Sequence, residues 1–116
     1  MDETRDCLFC RIAAGEFGTE FVYQSDSVVA FNDLDPQAET HVLVIPRAHL
    51  SSIAALDRDQ DALVGELVAA AAGIARQCGI EGSGYRLLTN VGPDAGQTVF
   101  HLHLHLLGGN ALGPLG

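Results

Sequence analysis

The chain has 116 residues, 47% of them hydrophobic, and a formal net charge of −9. That is enough chain for one domain with a real core, and too little for two. The charge excludes a general nucleic-acid binder, which needs a basic face for phosphates, yet leaves room for one nucleotide held by backbone N–H groups.

The opening residues Met1-Asp2-Glu3-Thr4-Arg5-Asp6 have no apolar stretch of the kind a secretory signal needs, and no run in the chain has the length of a membrane span. A cytoplasmic protein without a membrane partner is expected. The three cysteines then read as reduced thiols or metal ligands, not as a disulfide framework. Residues 1–6 form an irregular charged end. Cys7 to Gly15 predicts a short helix that Gly15 stops. Phe21–Gln24 and Val28–Phe31 flank Ser25-Asp26-Ser27 and predict a hairpin. Asp33–Ala38 is a loop in which Pro36 turns Asp35 away from helix. His41–Ile45 is dense in β-branched residues and predicts a strand buried on both faces and ended by Pro46. Ser51–Leu56 predicts a short helical turn. Asp57 or Asp59 then caps a long helix to about Gln77, with Gly79 just past its end.

On that helix Leu63, Leu67, Ala70 and Ile74 share one face, with Val64, Val68 and Ala71 beside them. The small residues Ala69–Ala72 let another element approach closely, either the sheet or a second copy of the chain. Tyr85–Asn90 predicts a strand, Gly92–Gly96 a turn, and Gln97–Leu107 the last strand, closed by Gly108-Gly109. The Gly- and Pro-rich end 110–116 predicts no element. About five strands, mostly hairpin-linked, with one long helix and one short N-terminal helix, make an α+β domain on an antiparallel sheet.

The chemistry concentrates in His101-Leu102-His103-Leu104-His105-Leu106-Leu107. Imidazole and leucine alternate with the period of a strand, so the histidines line one face and the leucines the other. Neutral imidazole suits nucleophilic, acid–base or metal-binding work. Cys7-x-x-Cys10 is half a zinc site, a redox pair, or two core thiols, and Cys78 is most simply core. The Gly92–Gly96 turn runs into Gln97-Thr98, where backbone N–H groups and two polar side chains form either an anion site or an ordinary hairpin turn. A carboxylate at Asp33 suits a ribose diol. Asn90 is unremarkable by itself.

Gly96-Gln97-Thr98-Val99-Phe100-His101-Leu102-His103-Leu104-His105-Leu106-Leu107-Gly108-Gly109 resembles the signature of the histidine triad (HIT) superfamily, His-φ-His-φ-His-φ-φ with φ apolar. Phe31–Ala38 resembles that family's ribose loop, and Thr40–His49 its central strand. The resemblance runs from about Cys7 to Gly109, and the Leu107-Gly108-Gly109 ending looks like the Hint, or histidine triad nucleotide-binding, branch. It implies a single HIT domain over 1–116 that cleaves a nucleoside monophosphate from a leaving group, commonly an amine, through a covalent nucleotidyl-histidine. By resemblance His103 is the nucleophile, and His105 binds a phosphate oxygen. Thr98, beside Gln97 and Gly96, meets the phosphate or the leaving atom. Asn90 lies near the phosphate, Asp33 takes the ribose hydroxyls, and Phe9, Phe31 and Leu34 surround a purine. His41 supports the nucleophile from the next strand. In relatives with the same Cys-x-x-Cys, those cysteines join two histidines on zinc; here the set is Cys7, Cys10, His49 and His101. The family also implies a homodimer. Some eukaryotic members carry a tryptophan near the C-terminus, and this chain has none. Two other readings of the residues stand beside this one: a zinc hydrolase with all three strand histidines on the metal, and a nucleotide-binding interaction module with incidental hydrolysis.

Overall fold

The apolar runs pair into one sheet with a helix on each face. The computed structural model describes residues 6–115. Within them lie β1 (Tyr23–Gln24), β2 (Val28–Asn32), β3 (Thr40–Pro46), β4 (Tyr85–Leu88) and β5 (Leu104–Gly108), with helices α1 (Leu8–Ala13) and α2 (Asp61–Gln77). The strand order is β1-β2-β3-β5-β4, and every neighbouring pair is antiparallel. The α+β expectation holds.

Alternation along β2 and β3 divides the core in two. Val28, Ala30, Val42 and Val44 face α2 and meet Leu67, Ala71 and Ile74. Val29, Phe31, Leu43 and Ile45 face the other way and meet Phe9 and Ala13 of α1. A strand covered on both faces must be apolar at every position, and β3 is buried from His41 to Pro46. Fully burying a side chain such as Leu67 or Ile74 contributes about 1.5–3 kcal/mol. The functional side chains lie on the α1 face.

Cys7 caps α1, its Sγ accepting the N–H of Cys10 at 3.3 Å. A 3-10 turn over Arg58–Gln60 precedes α2, with Asp57 and Gln60 forming a capping box. Ser52 caps a second 3-10 turn at Ile53–Ala55, where the sequence predicts a helical turn. The C′ position after α2 is Gly79, at φ +73°. At Gly108 a Cβ would lie 2.8 Å from Ile80 Cδ1 and 3.2 Å from Tyr85 Cβ, so glycine lets the segment before β4 close onto β5. No described helix is long and apolar enough to cross a membrane.

Three expectations need correction. The last strand begins at Leu104, not Gln97. The β3–β5 ladder ends at the Val44–Leu104 pair, and beyond it the Leu102 N–H turns to the Leu50 carbonyl while the His101 ring occupies the Pro46 carbonyl. Cys78 is exposed at the end of α2 and is not a core thiol. Val68 is likewise exposed, because the covered stripe runs through Leu67, Ala70, Ala71, Ile74 and Ala75.

Candidate active site and metal centre

Two polar centres lie side by side at the start of β5, joined by the short segment His101–His105. The first is a cavity of about 320 Å³ between α1 and the loop after β2, with His103 and His105 in one wall. Phe9, Phe31 and Leu34 make its apolar part, Asp33 its carboxylate, and Thr98 its lip. Phe9 points inward because α1 packs its Phe9–Ala13 face onto the sheet. Its ring meets Phe31 edge-on at 5.6 Å and His103 at 5.0 Å. Leu34 is fully exposed at the mouth.

The hydrogen bonds fix which ring nitrogen carries each proton. His103 is 8% exposed, and its Nδ1–H donates to the His101 carbonyl at 2.7 Å. A neutral His103 therefore keeps its free lone pair on Nε2. The Gln37 N–H donates to His41 Nδ1 at 3.0 Å, which puts the His41 proton on Nε2. That Nε2–H lies 3.0 Å from His105 Nδ1 and 3.5 Å from Asp33 Oδ2. His105 Nδ1 thus accepts, and its own proton sits on Nε2. Asp33, His41 and His105 bring donor atoms within 4.8 Å of one another, and this shared proton accounts for the grouping. Burial, followed by repulsion from His103 and His41, pushes the His105 pKa down to about 4, against a smaller upward pull from Asp33. The ring is neutral at neutral pH, a donor at one nitrogen and an acceptor at the other.

The second centre brings Cys7, Cys10, His49 and His101 together, with all four ligand atoms within 4.8 Å of one another. His101 Nδ1 lies 3.2 Å from Cys7 Sγ and 3.5 Å from Cys10 Sγ, and His49 Nδ1 lies 3.3 Å from Cys10 Sγ. A tetrahedral zinc with ordinary Zn–S and Zn–N bonds has S···N edges of roughly 3.6 Å. The fully buried His101 donates its Nε2–H to the Pro46 carbonyl at 2.8 Å, leaving Nδ1 as a lone pair toward the thiols. Burial lowers the His101 pKa and keeps that ring neutral. Donor chemistry and spacing both fit a metal ion.

Several sequence-predicted site residues stand elsewhere. Gln97 is buried, and its amide ties its own loop to the segment after β3: Oε1 accepts from the Gly92 N–H while Nε2 donates to the Ser51 and Val99 carbonyls. The Gly96 N–H donates to the Pro93 carbonyl and the Gln97 N–H to the Gly92 carbonyl. The N–H groups of Gly92, Ala95, Gly96 and Gln97 are therefore taken up within the turn. Asn90 sits half-buried just past β4 and is outside the cavity wall. His41 supports His105, not His103, because its place opposite Leu107 sets its ring beside residue 105. The three strand histidines do not share one metal: His101 joins the cysteines, His105 joins His41, and the His103 Nδ1–H is held by a carbonyl. The sequence reading missed Gln37, Pro46 and Thr89. Thr89 donates its hydroxyl to the His103 carbonyl at 2.7 Å. Pro46 and Gln37 act through main-chain atoms, which leave no side-chain signature. Thr89 adjoins Asn90 and was readable only as part of a strand.

Imidazoles on one short segment, a carboxylate beside an aromatic cavity and a four-ligand N/S cluster define a histidine triad protein. The HIT domain family matches residues 14–112, and the chain belongs to that family. It is 41% identical over 110 residues to the purine nucleoside phosphoramidase of Escherichia coli K12, covering 95% of this chain and 92% of that one. Among solved structures it resembles a HIT family hydrolase from Clostridium thermocellum, with TM-score 0.92, 40% identity, and 99% and 98% of the two chains covered. A histidine triad protein from Clostridium difficile superposes with TM-score 0.92 at 39% identity over 100% of both chains.

Proposed function

We propose that this HIT-family hydrolase cleaves purine nucleoside phosphoramidates and related nucleotidyl substrates through a covalent nucleotidyl intermediate on His103. The supporting observation is the 2.7 Å bond from His103 Nδ1–H to the His101 carbonyl, which reserves Nε2 as a neutral nucleophile. The name and 41% identity of the Escherichia coli relative support the P–N substrate class. Phe9 and Phe31 cover the purine, Leu34 closes over it, and Asp33 accepts from the ribose hydroxyls. His103 Nε2 attacks the α-phosphorus as the P–N bond breaks and the amine leaves with a proton from water, and His105 Nε2–H donates to a non-bridging oxygen as charge builds there. Thr98 gives a second donor at the lip. Water then displaces the nucleotidyl group, releasing the nucleoside monophosphate and restoring His103.

His41 is a positioning residue: the Gln37 N–H fixes its tautomer and it fixes that of His105. Cys7, Cys10, His49 and His101 would hold a zinc ion, which would tie α1, and so Phe9, to the segment that carries His103. With four protein ligands available, such an ion would be structural and leave no position open for substrate. The described residues form a single domain that works as a homodimer, with no helix or strand after Gly108; the charged end expected over residues 1–5 lies outside the described residues. Exposed Val68 and the neighbouring small residues of α2 suit a contact with a second copy.

His103→Ala is the test. Turnover should vanish while nucleoside monophosphate still binds; full activity in that variant would refute the assignment.

A further inference from the structure

A second cavity, of about 500 Å³, opens on the other side of the lip. Leu8, Thr98 and Val99 line both cavities, so a three-residue wall separates them. His103 lines the nucleotide cavity and not the second one. We propose that the second cavity receives the amine released from phosphorus, and that Phe100, Leu8 and Asp6 select it. This inference rests on the hydrolase reading above.

Displacement at phosphorus is roughly in line, so the departing atom leaves opposite the attacking nitrogen. The attacking nitrogen belongs to His103, in the nucleotide cavity. The wall shared by the two cavities, Leu8, Thr98 and Val99, includes the Thr98 placed at the leaving atom, so the second cavity is the space open to the departing group. As the His103 Nε2–P bond forms, the P–N bond breaks. Its electron pair stays on nitrogen, which takes a proton from water and leaves as a free amine. The hydroxide so formed attacks phosphorus as the His103 Nε2–P bond breaks, which completes the nucleoside monophosphate and restores neutral His103.

The walls state what kind of amine fits. Leu8 is 46% exposed and Phe100 54% exposed, far from the usual burial of such side chains, and both border this space. They offer an apolar slot to an alkyl or aryl body. Asp6 lines the same cavity and is its carboxylate, so a positive group at the far end of the amine is favoured over a negative one. Cys7 and His49, the metal-cluster residues, form part of the same lining. Two of the residues that would hold the metal thus border the leaving-group space.

The experiment compares adenosine 5′-phosphoramidates made from ammonia, hexylamine, 1,6-diaminohexane and 6-aminohexanoate. Phe100 is half exposed, so Phe100→Ala keeps the fold. It should lower kcat/KM for the hexylamine substrate about tenfold, the scale of a lost apolar pocket contact, and for the ammonia substrate less than twofold. Asp6→Asn should move the ratio of the diaminohexane to the 6-aminohexanoate substrate about threefold toward the acid. In His103→Ala protein, titration calorimetry should show the hexylamine substrate binding more tightly than AMP, and Phe100→Ala should erase that difference. Equal effects of Phe100→Ala on the ammonia and hexylamine substrates, or no effect on either, would overturn the subsite. If wild-type protein fails to turn over the ammonia substrate, the hydrolase reading falls, and the calorimetry still decides the subsite.

Discussion

Replacing His41 with phenylalanine tests the tautomer relay at its centre. The substitution keeps a ring of similar volume at a buried position and removes both nitrogens. Two hydrogen bonds go: Gln37 N–H to Nδ1 at 3.0 Å and Nε2–H to His105 Nδ1 at 3.0 Å. Each contributes about 0.5–1.5 kcal/mol, so the expected loss of stability is about 1–3 kcal/mol. A domain of this size tolerates that and melts roughly 4–12 °C lower. The larger effect falls on turnover. Without the His41 proton, His105 Nδ1 takes its own proton, and a lone pair on Nε2 then faces the phosphate oxygen in place of N–H. A hydrogen bond to a charged group is worth about 1.5–3 kcal/mol, so kcat should fall roughly 10- to 150-fold with KM changing much less. Steady-state kinetics on adenosine phosphoramidate gives the split, and 15N NMR of His105 reads the tautomer. A kcat within threefold of wild type, with the His105 tautomer unchanged, would refute the relay.

Further outcomes follow from the same geometry. His105 has a folded pKa of about 4 against an ordinary 6.5, so the unfolded chain binds its proton first as pH falls. The contribution of neutral His105 to stability is complete above pH 6.5 and is lost between there and about 4; His105→Gln should flatten this part of a melting series, and identical slopes would contradict the assignment. Cys10→Ser should empty the metal site by elemental analysis and lower the melting temperature by at least about 8 °C, with a smaller effect on the rate of the chemical step; native protein purified without zinc would end this reading. Phe9→Ala removes a buried ring that touches Phe31 and His103, and should cost about 3–5 kcal/mol of stability and weaken nucleotide binding more than it slows the chemical step. A melting temperature unchanged in Phe9→Ala would show that α1 is not part of the core.

What the sequence disclosed was whatever has a period or a pattern of side chains. The apolar run at 41–46 announced a strand covered on both faces, and α2 announced itself by spacing and by Gly79. Cys-x-x-Cys with two distant histidines became a metal set only through the family pattern, since no spacing rule links residues 7, 49 and 101. The fold brings them together because α1 crosses the sheet at the entry to β5. Main-chain atoms were not legible. The Pro46 and His101 carbonyls and the Gln37 N–H determine three imidazole tautomers, yet any residue type supplies such groups. Gln97 misled for a related reason: a polar side chain beside a glycine turn suits an anion or the turn itself, and here two bonds within its loop and one to the Ser51 carbonyl claim it. The last strand was drawn seven residues too long at its start because alternation persists through His101 and His103 after ladder pairing has ended.

The most direct measurement is of the bond that imidazole should form. Wild-type protein mixed with a slowly hydrolysed adenosine phosphoramidate, quenched within a turnover and digested, should yield one peptide heavier by an adenylyl group. Fragmentation should place that mass on His103, and the adduct should be absent from His103→Ala. An adduct on another residue, or full turnover with none formed on that timescale, would contradict nucleophilic attack by His103.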